Sequence, residues 1–172
     1  MTPVLTPIPQ AEFVAMVRAL AEALAADPWA PDFIIGVGRG GLAPGVFLSH
    51  AAGLPMLSVD YSAKVPDFAA ALLVKLAART RDGERLLIID DINDTGRTIT
   101  HLRAALAEAG AVPGSARFAT LIDNLRSAER VEYSARQIDR AVTKDWFVFP
   151  WEAVAPAAAI AEDAAAVPER TA

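Results

Sequence analysis

The 172-residue sequence contains no cysteine, which excludes disulfides, thiolate zinc sites and a thiol nucleophile together. Histidine is scarce: His50 and His101 alone are too few for a histidine metal cluster. No uninterrupted apolar stretch reaches the roughly 18 residues that a membrane span needs. The opening MTPVLTPIPQ lacks the basic and apolar regions of a signal peptide, so the expected location is the cytoplasm and no membrane partner is expected. An excess of positive charge is lacking too. Sixteen Lys+Arg stand against 21 Asp+Glu, a net charge of −5, which gives no overall attraction to nucleic acid or anionic lipid. What remains is 53% hydrophobic and 22% charged, too apolar for a disordered chain and the right size for one globular domain with a sizeable core.

Apolar periodicity organises that domain. Phe13, Met16, Val17, Leu20 and Leu24 recur at helical spacing and predict an amphipathic helix ending near Asp27-Pro28. Residues 32–36 form a short apolar run stopped by glycine, 38–41 (GRGG) a flexible turn, and 42–52 a helix despite Pro44 and Gly45. A second strand is expected over 55–61, and the Ala-rich segment 62–81 fits either a helix or a mobile cover. Residues 85–91 (RLLIIDD) read as a buried strand ending in two carboxylates, followed by a helix over 98–109. Further strands are expected over 115–123 and 146–149, with 131–140 only weakly patterned and the tail from Ala153 a loose helix or frayed end without chemistry. This alternation predicts an α/β fold, a Rossmann-like, mostly parallel sheet flanked by helices, with ligands outside the carboxyl ends of its strands.

Two polar loops fall at those ends. Gly36, Gly38 and Gly41 satisfy G-x-G-x-x-G, and Asp60 follows about where a dinucleotide site places its ribose-binding acid. A tight strand-to-helix turn explains the same glycines. Arg39 inside the turn adds a guanidinium that can clamp a phosphate or pyrophosphate, with the backbone of Gly38, Gly40 and Gly41 approaching the same oxygens. The second loop, LIIDDINDTGRT, combines three carboxylates, a glycine and two threonines at the mouth of a helix. Asp94, Thr95, Gly96, Arg97 and Thr98 can wrap N–H groups and hydroxyls around a phosphate monoester at the positive end of that helix, with Arg97 pointing outward. Asp90 and Asp91 would repel the same anion, so sugar hydroxyls or a hydrated metal ion are their more sensible partners.

LLIIDDINDTGRTI closely resembles the phosphoribosyl pyrophosphate (PRPP) binding motif of type I phosphoribosyltransferases. IIGVGRGGLAPG resembles the family's pyrophosphate loop, and WFVFPWE resembles the base-binding hood of its bacterial and archaeal 6-oxopurine members. The resemblance implies the type I phosphoribosyltransferase fold with a small hood: a domain over 1–152, its hood drawn from the N-terminal region and 124–152, then an Ala-rich tail over 153–172. It implies Mg²⁺-dependent transfer of phosphoribose from PRPP to guanine, xanthine or hypoxanthine with release of pyrophosphate, by a homodimer or homotetramer. By the same resemblance Arg39 holds the leaving group, Asp90 and Asp91 hold ribose hydroxyls or metal-bound water, and Asp94 takes a proton from the base. Trp146 stacks on the purine while the backbone near Phe147 reads its edge, and Glu152 joins Asp90 and Asp91 near the metal.

The sequence also departs from the family. The lysine that purine enzymes place after the strand equivalent to 115–123 is missing, and Asn124 stands there with Arg126 nearby. Tyr61-Ser62 matches the start of the mobile catalytic loop in reversed order. Arg117, Arg126, Arg130, Arg136 and Arg140 read as a solvated face. Two other readings stay open: a regulator that senses PRPP or a nucleotide with little turnover, and a dinucleotide-dependent enzyme built on Gly36, Gly38, Gly41 and Asp60.

Overall fold

In the computed structural model, which describes residues 4–60 and 70–166, strands and helices alternate along the chain. A short strand β1 (Leu5–Pro7) leads into helix α1 (Gln10–Ala26), whose buried face carries the five apolar residues that predict it. Strand β2 (Phe33–Val37) passes directly into α2 (Gly38–Ala52), followed by β3 (Met56–Val59) and α3 (Ala70–Arg81). Then come β4 (Leu86–Asn93), α4 (Arg97–Glu108), β5 (Ala116–Asn124) and β6 (Tyr133–Ile138). Strand β7 (Trp146–Val148), a 3-10 turn (Pro150–Glu152) and α5 (Ala157–Ala165) follow. Among the described residues no helix is long and apolar enough to cross a membrane.

Five strands form one all-parallel sheet in the order β3-β2-β4-β5-β6, with β4 at its centre. Leu87 and Ile89 pack into a cluster with α1 and α2 on one face, and Leu86 and Ile88 into a cluster with α3 and α4 on the other. Burial on both faces is why β4 reads as a continuous apolar run, each such side chain contributing about 1.5–3 kcal/mol. From β2 the chain first adds β3 on one side and then crosses to place β4 on the other. The strand order therefore reverses between β2 and β4, and a crevice opens beyond their carboxyl ends. Separately, β1 pairs in parallel with β7, Leu5 opposite Trp146, and Thr6 donates its hydroxyl to Asp145 at 2.6 Å.

Several expectations change in detail. Residues 38–41 are the first turn of α2 rather than a flexible turn, with Gly38 at φ 51 taking the chain out of β2. The segment 62–81 is helical over Ala70–Arg81, while 61–69, including the Tyr61-Ser62 match, lies outside the described residues. The weakly patterned 131–140 contains the edge strand β6. Its outward residues need not alternate cleanly because only one neighbour strand constrains them.

At the amino end of the sheet Asp27 ties three elements together. It accepts the Trp29 backbone N–H at 2.7 Å, the Tyr133 hydroxyl at 2.9 Å and Arg117 Nη1 at 2.9 Å, while the Arg117 guanidinium lies 4.6 Å from the Trp29 ring centre. The Trp29 N–H first, then the Tyr133 hydroxyl and Arg117, hold the Asp27 carboxyl below its ordinary value. A depressed carboxyl contributes stability above its unfolded pKa and loses it as pH falls through the folded one. Asp27→Asn is expected to lower Tm near pH 7, with the difference from wild type shrinking below about pH 4. Thermal melts of both proteins across that range check this.

Candidate functional site

The two polar loops meet at the crevice between β2 and β4. Gly38, Arg39 and Gly40 from the start of α2, with Asp90 and Asp91 from the end of β4, line one cavity of about 710 Å³. Glycine is required at 40 and 41 by close approach. A Cβ on Gly40 would lie 2.7 Å from Asp91 Oδ2 and 2.8 Å from Asp90 Oδ1, and one on Gly41 would run into the carbonyl of Ile89. Arg39 is exposed at the cavity wall, free of the core packing that its neighbours make.

Asp90 and Asp91 are half-buried, and their carboxylates accept local backbone N–H groups: Asp90 Oδ1 accepts the Asp91 N–H at 3.0 Å and Asp91 Oδ1 the Ile92 N–H at 2.7 Å. Burial, and then the Asp91 charge beside it, push the Asp90 carboxyl well above its ordinary value. Two adjacent carboxylates with this electrostatic strain suit a cation or a set of hydroxyl donors.

The Asp94–Thr98 loop is held from below. Gly96, at φ 87, is the N-cap of α4, and a Cβ there would meet the Glu129 N at 2.8 Å and the Ser127 Oγ at 2.9 Å. Asn93 donates to Asp123 Oδ1 at 2.7 Å and to the Glu129 carbonyl at 2.9 Å, and accepts the Ser127 hydroxyl at 2.8 Å. Burial raises the Asp123 carboxyl from its ordinary value, against the Asn93 hydrogen bond and the Arg130 charge. Thr95 Oγ1 faces the Arg97 N–H at 3.4 Å, Arg97 is exposed as expected, and Thr98 is half-buried in the first turn of α4. The first N–H groups of such a helix have no acceptor within it, so the loop can receive an anion.

Asp94 is buried and makes a two-bond ion pair with Arg140, Nε to Oδ1 at 3.0 Å and Nη2 to Oδ2 at 3.2 Å. Removing one partner of such a pair costs about 3–5 kcal/mol. Arg140, expected on a solvated face, is therefore an interior residue. The other four arginines of that group are also engaged: Arg117 with Asp27, Arg126 with Asp139, Arg136 with Glu12, and Arg130 with the Leu125 carbonyl. Asn124, the candidate for contacting the base, is a brace instead. Its amide donates to the Asp94 carbonyl at 2.8 Å and accepts the Arg126 and Arg140 N–H groups at 3.1 and 3.2 Å.

Strand β7 and the 3-10 turn after it supply the remaining walls. Trp146, half-buried on β7, lines the large cavity and an adjoining one of about 200 Å³. Phe147 points the other way by strand alternation, into the core beneath Arg136 and Arg140, and borders only the smaller cavity. Glu152 borders both, but its Oε2 accepts the Phe149 N–H at 2.9 Å. Asp90, Asp91 and Glu152 consequently do not assemble the three-carboxylate metal set, and no such group exists among the described residues. The tail, expected to lack any role at the site, folds into α5 and places Ala159, Ile160 and Asp163 on the large cavity.

Asn93, Ser127 and Arg140 were missed from sequence. A polar Asn93 at the end of an apolar strand was the available signal; Arg140 offered none, because its partner lies 46 residues away.

A family model described as the phosphoribosyl transferase domain matches residues 8–156. The chain belongs to this family of phosphoribosyltransferases. It is similar to the xanthine-guanine phosphoribosyltransferase of Idiomarina loihiensis, 29% identical over 125 residues that cover 69% of this chain and 70% of that protein. The purine phosphoribosyltransferase of Pyrococcus horikoshii superposes with a TM-score of 0.63 at 27% identity, covering 86% of this chain and 94% of that one. A hypothetical protein from Neisseria gonorrhoeae with bound ppGpp shares the fold over 100% of this chain and 99% of its own, with a TM-score of 0.70 at 16% identity. The family match replaces the dinucleotide reading of Gly36, Gly38 and Gly41. Gly36 and Gly41 serve close packing, a Cβ on Gly36 falling 2.9 Å from the Gly41 carbonyl.

A carboxyl whose folded pKa is raised costs stability as pH rises above its unfolded value. In metal-free buffer Asp90→Asn is expected to raise Tm near pH 7 and to give no gain below about pH 4. Parallel melts at both pH values check the sign.

Proposed function

We propose that this protein transfers the phosphoribosyl group of PRPP to a purine base, guanine, xanthine or hypoxanthine, releasing pyrophosphate and forming a nucleoside monophosphate. The observation that carries the reading is the convergence of the Arg39 turn and the Asp90-Asp91 pair on one cavity beneath Trp146. Arg39 and the Gly38 to Gly41 backbone hold the pyrophosphate as its bond to the anomeric carbon breaks, supplying charge where charge develops. The Asp94–Thr98 loop grips the 5′-phosphate as a fixed handle. Asp90 and Asp91 receive the ribose hydroxyls, and Trp146 offers a flat face for the base.

Asp90 and Asp91 fit Mg²⁺: both are oxygen donors, and the raised Asp90 carboxyl marks an acidic pair that a cation relieves. Mg²⁺ commonly uses one or two carboxylates with waters and substrate phosphates, so a third protein ligand is not required. When bound there, Mg²⁺ would supply positive charge toward the leaving pyrophosphate, with Asp90 and Asp91 as the residues that would hold it. Asp94, held in place by its two bonds to Arg140, accepts the proton released by the base.

Mixing the protein with PRPP and Mg²⁺ is expected to release pyrophosphate with a 6-oxopurine and to stay silent with uracil or orotate. Chelating the metal should abolish release, and Asp94→Asn should lower kcat by about 10²–10⁴ while PRPP still binds. Silence with every base alongside intact PRPP binding would overturn the transferase reading.

A further inference from the structure

Arg140 is a cation buried to 6% exposure at the carboxyl end of the sheet. Besides its two bonds to Asp94, its Nη1 donates to the carbonyls of Thr143 at 3.1 Å and Asp145 at 2.6 Å. A guanidinium carries five N–H groups, and these contacts leave one, on Nη2. The same side chain borders the smaller cavity of about 200 Å³, whose other walls include Asp91, Trp146, Phe149 and Glu152. The neighbouring donors are committed elsewhere, Asn124 to the Asp94 loop and Arg126 to Asp139. Its position is also fixed: four hydrogen bonds hold the plane of the guanidinium, and the Phe147 ring lies 5.4 Å from its centre.

Such a cavity selects by chemistry. Aromatic walls favour a flat ring, and the remaining donor of a buried cation requires an acceptor oxygen. A ring presenting an amino group there would set donor against donor and leave the cation unmatched. We propose that Arg140 is the specificity-determining cation of the base site, selecting a planar heterocycle with an exocyclic carbonyl oxygen over the same ring with an amino group. The proposal rests on the phosphoribosyl-transfer reading for the identity of the ring. It assigns the discrimination to a residue in the turn just beyond β6, away from the β5 position where a lysine is missing.

IMP and AMP share the ribose phosphate and the purine skeleton and differ at the C6 substituent and the N1 proton that accompanies it, so calorimetry with both probes reads the selection without turnover. Wild type is expected to bind IMP at least about tenfold more tightly than AMP. Arg140→Gln should collapse that ratio to within about threefold, and Arg140→Lys, which keeps the charge without the fixed fork, should fall between them. Since Arg140→Gln takes both guanidinium bonds from Asp94, the double variant Asp94→Asn/Arg140→Gln, which removes the charge from both partners, is measured alongside with thermal melts. A ratio that survives in any folded Gln variant, or a loss of both ligands by the same factor, assigns Arg140 a structural role and overturns the proposal. Should both Gln variants unfold, an Arg140→Lys ratio equal to wild type does the same. Wild type that binds IMP and AMP alike sinks this proposal alone, whereas wild type that binds neither sinks the transfer reading beneath it.

Discussion

Gly41 lies so close to the carbonyl of Ile89 that no side chain fits between helix α2 and strand β4. This approach sets the geometry of everything above it. One residue earlier, Gly40 rests against the carboxylates of Asp90 and Asp91, and one residue before that Arg39 reaches the cavity wall. A larger residue at 41 would push α2 away from the sheet and separate the Arg39 turn from the Asp90 and Asp91 carboxylates. The glycines thus act through packing, and the place of the Arg39 turn beside the two acids follows from where that packing leaves the backbone.

Stability is distributed unevenly between the two ends of the sheet. At the amino end Asp27, Arg117 and Tyr133 satisfy one another, and the carboxylate is held in its charged form by hydrogen bonds. At the carboxyl end Asp90 is strained by burial and by Asp91, a cost that substrate hydroxyls or a cation would relieve. Between these extremes the hydrogen bonds among Asn93, Asp123, Ser127 and Glu129 brace the Asp94–Thr98 loop from below.

Much of this was legible in sequence because the information is local. The apolar run ending in Asp90 and Asp91 specifies a buried strand, the glycines specify a close strand-to-helix passage, and DTGRT specifies a loop at a helix start. Each signal lies within a dozen consecutive residues. The tail was legible only in part: a stretch dominated by alanine has little amphipathic contrast, so a helix was one of two expectations there and its place against the cavity was not visible.

The roles of Asn124, Glu152 and Arg140 were decided by tertiary structure. Asn124 occupies the position of a missing lysine yet braces Asp94, and Glu152 turns back to its own hood strand. Arg140 looks in sequence like one of several surface arginines, and only the placement of β6 beside β5 carries it to Asp94. The sequence by itself determined the order of elements, the buried strands and the two polar loops at the strand ends, since periodicity and turn chemistry act between near neighbours. Which side chains would meet across the crevice depended on sheet order and register, which bring together residues far apart in the chain and leave no local trace.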